Sequence, residues 1–192
     1  MNDASKKSLG RPRSDKSHQA ILQSALALLA EVGFDAISIE AIASRAGVGK
    51  TTIYRRYSGK AELIADAIEN IREEVLIPDT GKLESDIDTL IEKAAQISLN
   101  PLGRQAVSMI ISSASSNPEF AQIYWSKYLQ PRREAFDIVI ERAKSRNEVS
   151  QDLDSGLVFD TMSGIMLYAL IFQPTPESWT AYVRRALSLL IR

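Results

Sequence analysis

Within eight residues the chain places Lys50, Thr51, Thr52, Tyr54, Arg55, Arg56 and Tyr57. These are cations, hydroxyls that both donate and accept, and aromatic rings. The stretch holds no paired base and nucleophile and no metal-ligand spacing. Its chemistry is recognition: ammonium and guanidinium groups hold phosphates, Arg reads guanine with two parallel bonds, and a Thr methyl packs on a thymine methyl.

Such residues work only if a rigid element aims them. The segment Ser38–Tyr57, SIEAIASRAGVGKTTIYRRY, reads as two short helices broken by a Gly turn. Ser38 is placed to cap the first, and Ile37 and Ile42 flank that cap at hydrophobic-staple positions. Ile39, Ile42, Ala43 and Ala46 recur at helical spacing and form a narrow stripe to be buried. Gly47 ends the helix where a left-handed residue is needed, and Val48 plugs the turn. Gly49 opens the second helix, with Ile53 and Tyr57 on its inward side. The layout is that of a helix-turn-helix, whose second helix enters the DNA major groove.

A rival reading takes AGVGKTT as half of a phosphate-binding P-loop. The full pattern requires Gly at position 44, where the chain has Ser44, and a buried strand ahead of it. An amphipathic helix pattern stands there instead.

The pattern extends beyond the motif. Over residues 10 to 70 the chain resembles the N-terminal domain of the tetracycline-repressor (TetR) family of bacterial transcriptional regulators. The resemblance is carried by Glu31-Val32-Gly33-Phe34 at the end of a long first helix, Ile42-Ala43, Ala46-Gly47-Val48, Ile53-Tyr54, Tyr57, and Lys60 ahead of Glu62-Leu63. Gly49 departs from it, since the family often has a Ser cap there. The resemblance implies an all-α protein with three domains: a flexible basic arm (1–13), a three-helix helix-turn-helix domain (14–60), and a helical effector-binding and dimerisation domain (61–192).

Charge agrees. The overall balance is −1, but residues 1–60 carry a net +5 and the remainder −6. A basic end on an acidic body suits one face turned to a polyanion. There is no cysteine, hence no disulfide framework or thiolate metal site. The N-terminus lacks a secretory apolar core, and the apolar stretch Ile165–Phe172 is too short to cross a bilayer. A cytoplasmic protein without a membrane partner is expected.

Roles follow for individual residues. Lys50, Thr51, Thr52 and Arg55 are the base-reading candidates. Ser38, Tyr54, Tyr57 and Lys60 are the phosphate candidates; for Tyr57 a core aromatic with only its hydroxyl exposed is the competing role. Lys60 begins the next helix, whose free amides also favour an anion. Arg11 and Arg13, in Gly10-Arg11-Pro12-Arg13, resemble arms that enter A·T-rich minor grooves, against the plainer role of a solubilising tail. Ser14 or Asp15 then caps the first helix.

The body reads as helices with clear punctuation. They are expected over Lys60–Leu76, Leu83–Leu99, Leu102–Ser115, Asn117–Arg146 with a kink at Pro131, Asp154–Phe172, and Pro176–Ile191. No segment alternates at period two. The last two helices carry Leu157, Val158, Met162, Ile165, Met166, Ala169 and Leu170, then Trp179, Tyr182, Val183, Leu187, Leu190 and Ile191. That is more apolar surface than one inward stripe needs, and it marks them as the homodimer candidates. Met109, Ser113, Tyr124, Trp125, Tyr128, Phe136, Met162 and Phe172 are candidates to line a pocket for an unknown small-molecule effector; as plain core they need no ligand.

The resemblance thus implies a repressor that binds an inverted-repeat operator in double-stranded DNA as a dimer and is released by an effector. An effector-independent or architectural DNA binder is the alternative. Catalysis is not expected: His18 is the single histidine, set beside the arm and expected to be exposed. Glu73-Glu74 and Asp86/Asp88 sit at spacings of solvated helix faces. No cofactor or metal is implied.

Overall fold

In the computed structural model, residues 11–71 and 77–190 are described. Among them the secondary structure is helical throughout, as the periodicity predicts: α1 (Arg11–Ala36), α2 (Ile39–Ala46), α3 (Lys50–Tyr54), α4 (Lys60–Glu69), α5 (Leu83–Ser98), α6 (Pro101–Ser116), α7 (Pro118–Tyr124), a π-helical turn (Trp125–Leu129), α8 (Gln130–Ser145), α9 (Ser155–Phe172) and α10 (Trp179–Leu187). The chain divides into two compact units, residues 1–70 with 109–123, and 71–108 with 124–192.

In the first unit, α1 buries Ile21, Leu22, Ala25 and Leu29 against α2 and α4. Gly33 (φ 75°) breaks the helical path, and Phe34 beyond it packs edge-on against Phe120 at 5.4 Å. α4 buries Ala61, Leu63, Ile64, Ala65, Ala67 and Ile68. The first unit therefore continues past the boundary expected at residue 60, because α4 is apolar on most of its surface and α1 provides its cover. α4 stops at Glu69 with Asn70 as its cap, short of the expected Leu76; residues 72–76, with Glu73-Glu74, lie outside the described residues.

α1 also begins earlier than expected. Arg11 and Arg13 stand in its first turn, not in an extended arm, since Pro12 has no amide to lose there. Residues 1–10 lie outside the described residues.

In the second unit, Leu83, Ile87 and Ile91 of α5, Phe136, Val139, Ile140 and Ala143 of α8, Val158, Met162 and Ala169 of α9, and Val183 and Leu187 of α10 form one core. Caps mark the boundaries. Asn100 Oδ1 accepts from the Gly103 amide at 2.8 Å, Asp154 Oδ1 from Leu157 at 2.9 Å, and Ser178 Oγ from Ala181 at 3.2 Å. The last helix thus starts after Ser178 and not at Pro176, and ends at Leu187. The kink expected at Pro131 is taken up just before it. A proline ring clashes with the carbonyl four residues back, here Lys127, and the wide π turn Trp125–Leu129 absorbs it.

Asp86 is not on a solvated face. It is fully buried, and its Oδ1 accepts from both the amide and the hydroxyl of Thr80 at 2.7 Å, pinning the 77–82 loop to α5. The apolar run is also longer than Ile165–Phe172. α9 as a whole has 18 residues and a mean hydropathy of 1.5, the length and composition of a membrane span. Its inner face is packed against α8 and α10, and Asp160 pairs with Arg133 at 3.4 Å.

Candidate nucleic-acid interface

The helix-turn-helix is built as its sequence dictates. Ser38 Oγ accepts from the Ala41 amide at 3.1 Å. Ile37 and Ile42 are both buried, as a staple requires. Gly47 is left-handed (φ 66°), and its amide and that of Val48 close the last turn of α2 on Ser44 and Ala43. Any residue with a Cβ is strained in that conformation. α3 then runs for five residues from an extended Gly49 and buries Ile53 completely.

What remains of α3 faces solvent. Lys50, Thr51, Tyr54 and Arg55 are exposed and Thr52 is half-buried. Among the described residues, Arg55 makes no side-chain hydrogen bond or ion pair. Lys50 differs: its Nζ lies 2.9 Å from Glu40 Oε1 on α2. That ammonium holds the Glu40 carboxyl below its ordinary value, and the carboxylate raises Lys50 in return. A second pair, Arg45–Glu31 at 2.6 Å, ties α2 to α1.

Of the four phosphate candidates, Tyr54 is open to solvent and Ser38 is half-buried with its Oγ already capping α2. The other two are engaged elsewhere. Tyr57 is only 4% exposed, and its hydroxyl lies 2.7 Å from His18 Nε2 on α1. Burial, with Asp66 nearby, pushes this phenol up to about 12. Tyr57 is therefore a buried ring whose hydroxyl is held by His18. His18 is half-buried beside it, not exposed. Lys60 Nζ donates to the carbonyls of Phe34 (2.9 Å) and Asp35 (3.4 Å) and sits 4.7 Å above the Phe34 ring. It thus caps the end of α1. Sequence reasoning missed Glu40, whose place opposite Lys50 becomes visible only once the turn at Gly47 folds one helix back on the other.

The pocket candidates fall in both units. Met109 and Ser113 belong to the first unit and the other six to the second. Phe136 and Met162 are core, while Trp125 and Phe172 are exposed. Tyr124 and Tyr128 do meet, their rings 5.4 Å apart beside the π turn. Elsewhere in the second unit an open groove of about 480 Å³ is bordered by Lys82, Leu83, Ile87, Asp88, Glu148 and Arg184, none of them candidates.

Helical structure throughout the described residues, with an exposed and basic second helix of a helix-turn-helix, defines a DNA-binding class. Comparison with known proteins agrees. Residues 21–67 match the model of bacterial regulatory proteins of the tetR family, and residues 77–190 match the tetracyclin repressor-like C-terminal domain. The chain is 33% identical to the HTH-type transcriptional regulator YdeS of Bacillus subtilis, over 84% of this chain and 82% of that one. It is 29% identical to the DNA-binding transcriptional repressor TetR of Mycobacteroides abscessus, over 82% and 84%. Its fold is similar to that of Salmonella enterica GusR, with a TM-score of 0.69 at 20% identity, over 96% of this chain and 99% of that one. The chain belongs to the TetR family of bacterial transcription regulators.

Proposed function

We propose that this regulator is a repressor that binds an inverted-repeat operator as a homodimer and is released by a small-molecule effector. The observation that carries the reading is the pairing of two unlike exposed surfaces. α3 offers Lys50, Thr51, Tyr54 and Arg55 to solvent. α9 and the chain after α10 offer Leu157, Tyr168, Ile171, Phe172, Leu189 and Leu190. The first suits base edges and phosphates. The second is an apolar face of the kind an obligate partner covers.

The dimer face is not the one the sequence pattern marked in full. Val158, Met162, Ala169, Leu170, Val183 and Leu187 are spent on the unit's own core. The outer stripe, from Leu157 past Thr161 and Gly164 to Tyr168, Ile171 and Phe172, follows helical spacing and remains for a second copy. Two-fold symmetry then presents two α3 helices to two half-sites, and the operator is a palindrome. In this reading Arg55 reads a base, Lys50, Thr51 and Thr52 share the groove, and Tyr54 and the amides near Ser38 hold phosphates.

Release requires an effector that binds the two states of the body unequally. A hundredfold loss of DNA affinity takes only about 2.7 kcal/mol of coupling. The aromatic residues around the π turn, Tyr124 and Tyr128, are the part of the candidate lining that supports an aromatic or largely neutral ligand, and π turns gather at functional sites. A library of such compounds, screened for release of a labelled duplex from the full-length protein, tests this. A compound that raises the melting temperature and weakens duplex binding is expected. A library in which every stabilising compound leaves duplex binding unchanged contradicts effector release and favours an effector-independent regulator.

A further inference from the structure

The cations of α2 and α3 are not equivalent. Arg55 is open, whereas Lys50 is held at 2.9 Å by Glu40 and Arg45 at 2.6 Å by Glu31. Lys50 is the first residue of α3 and Glu40 the second of α2. Ten positions apart in sequence, they meet because Gly47 turns the chain between them. Their side chains are 55% and 60% exposed. A pair this open is weak and exchangeable, so a DNA oxygen can replace the carboxylate. Until it does, the carboxylate cancels one positive charge at the end of α3 that faces the groove.

We propose that Glu40 is a specificity-determining residue that acts on DNA through Lys50, as a brake on sequence-independent binding. Sequence-independent affinity is built from cations that displace counterions from phosphates. Lys50 can contribute only by leaving Glu40, and the abandoned carboxylate then stands near the phosphates and repels them. A random duplex offers Lys50 a phosphate alone, which does little more than replace the lost pair. An operator that places guanine O6 and N7 within reach offers better acceptors in a fixed position. Glu40 therefore subtracts more from random binding than from operator binding. The inference rests on α3 being the reading helix.

The test uses the full-length protein and a fluorescent duplex of scrambled sequence, titrated across a salt series. Glu40→Gln is expected to bind the scrambled duplex roughly three to ten times more tightly at physiological salt, with a salt slope steeper by about one for each protomer engaged. Glu40→Asp, which keeps the charge, is expected to stay near the wild type. In a Lys50→Gln background, Glu40→Gln is expected to change little, since its target is gone. An unchanged affinity and slope in Glu40→Gln overturns the proposal. So does a gain of equal size with and without Lys50, which would make Glu40 a bulk charge and not a partner. Wild-type protein that binds no duplex at any salt overturns the reading of α3 itself, a result distinct from either.

Discussion

α3 and α9 solve opposite problems with their exposed surfaces. α3 is five residues long, buries Ile53 alone, and leaves its polar side chains to solvent. α9 is 18 residues long, apolar nearly all round, and buries one face while Leu157, Tyr168, Ile171 and Phe172 (65% exposed) stay uncovered. A short helix cannot hold itself; α3 stands because Ile53 is fully buried and the Gly47 turn ties it to α2. A long apolar helix holds itself but leaves surface that water disfavours. The difference is one of chemistry: α3 offers charge and hydrogen bonds, α9 an uncovered apolar stripe, and the proposed function gives each a matching partner.

The sharpest way to break this comparison is to charge the α9 face. Tyr168→Glu with Ile171→Glu should turn a dimer into a monomer in sedimentation velocity at micromolar protein, with helicity retained. A dimer that survives both charges would place the contact elsewhere. Next in size, Ile53→Ala empties a fully buried site under α3 and should cost about 2–5 kcal/mol in chemical unfolding. A loss below about 1 kcal/mol would mean that α3 is not anchored there.

Arg55→Ala leaves the fold intact and should cost roughly 1–3 kcal/mol of operator binding, relaxing preference at one base position. An unaltered preference in a repeat selection would remove Arg55 from the groove. Tyr57 sharpens the contrast between buried and exposed rings on the same segment. Its phenol is raised to about 12 by burial. The folded form therefore holds its proton more tightly than the unfolded chain, whose phenol titrates near 10. The stability this protects is intact below about pH 10 and is lost as pH rises from there through about 12, by about 2 kcal/mol. Tyr57→Phe should lose less over that window in urea titrations; equal losses would show that the phenol is not buried. Smallest of all, Gly49→Ser should stabilise α3 by a few tenths of a kcal/mol. Gly49 has extended cap geometry and no side-chain bond, and an added Cβ meets only Thr51 Oγ1 at 3.6 Å. A lower melting temperature would contradict the cap.

Most of the first unit was legible in the sequence, because its signals are local. The Ser38 cap, the Ile37–Ile42 staple, the left-handed Gly47 and the inward Ile53 each follow from residues within five positions. The roles that escaped are long-range. His18 meets Tyr57 across 39 positions, Lys60 reaches back to Phe34, and Glu40 faces Lys50. A residue type that fits a phosphate fits these partners equally well, so only the fold decides. In the body, periodicity placed the helices but not their faces. On α9 nearly every position is apolar, and spacing alone cannot tell Met162, which is core, from Tyr168, which is not. Among the pocket candidates, likewise, spacing does not separate Met162, which is core, from Phe172, which is exposed.

The central claim is that α3, paired by two-fold symmetry, reads DNA sequence. It is tested most directly by selecting random duplex DNA on the purified full-length protein at physiological salt. Enrichment of one inverted repeat, its half-sites spaced for two α3 helices, is the predicted result. Enrichment of no motif by folded, dimeric protein would contradict it.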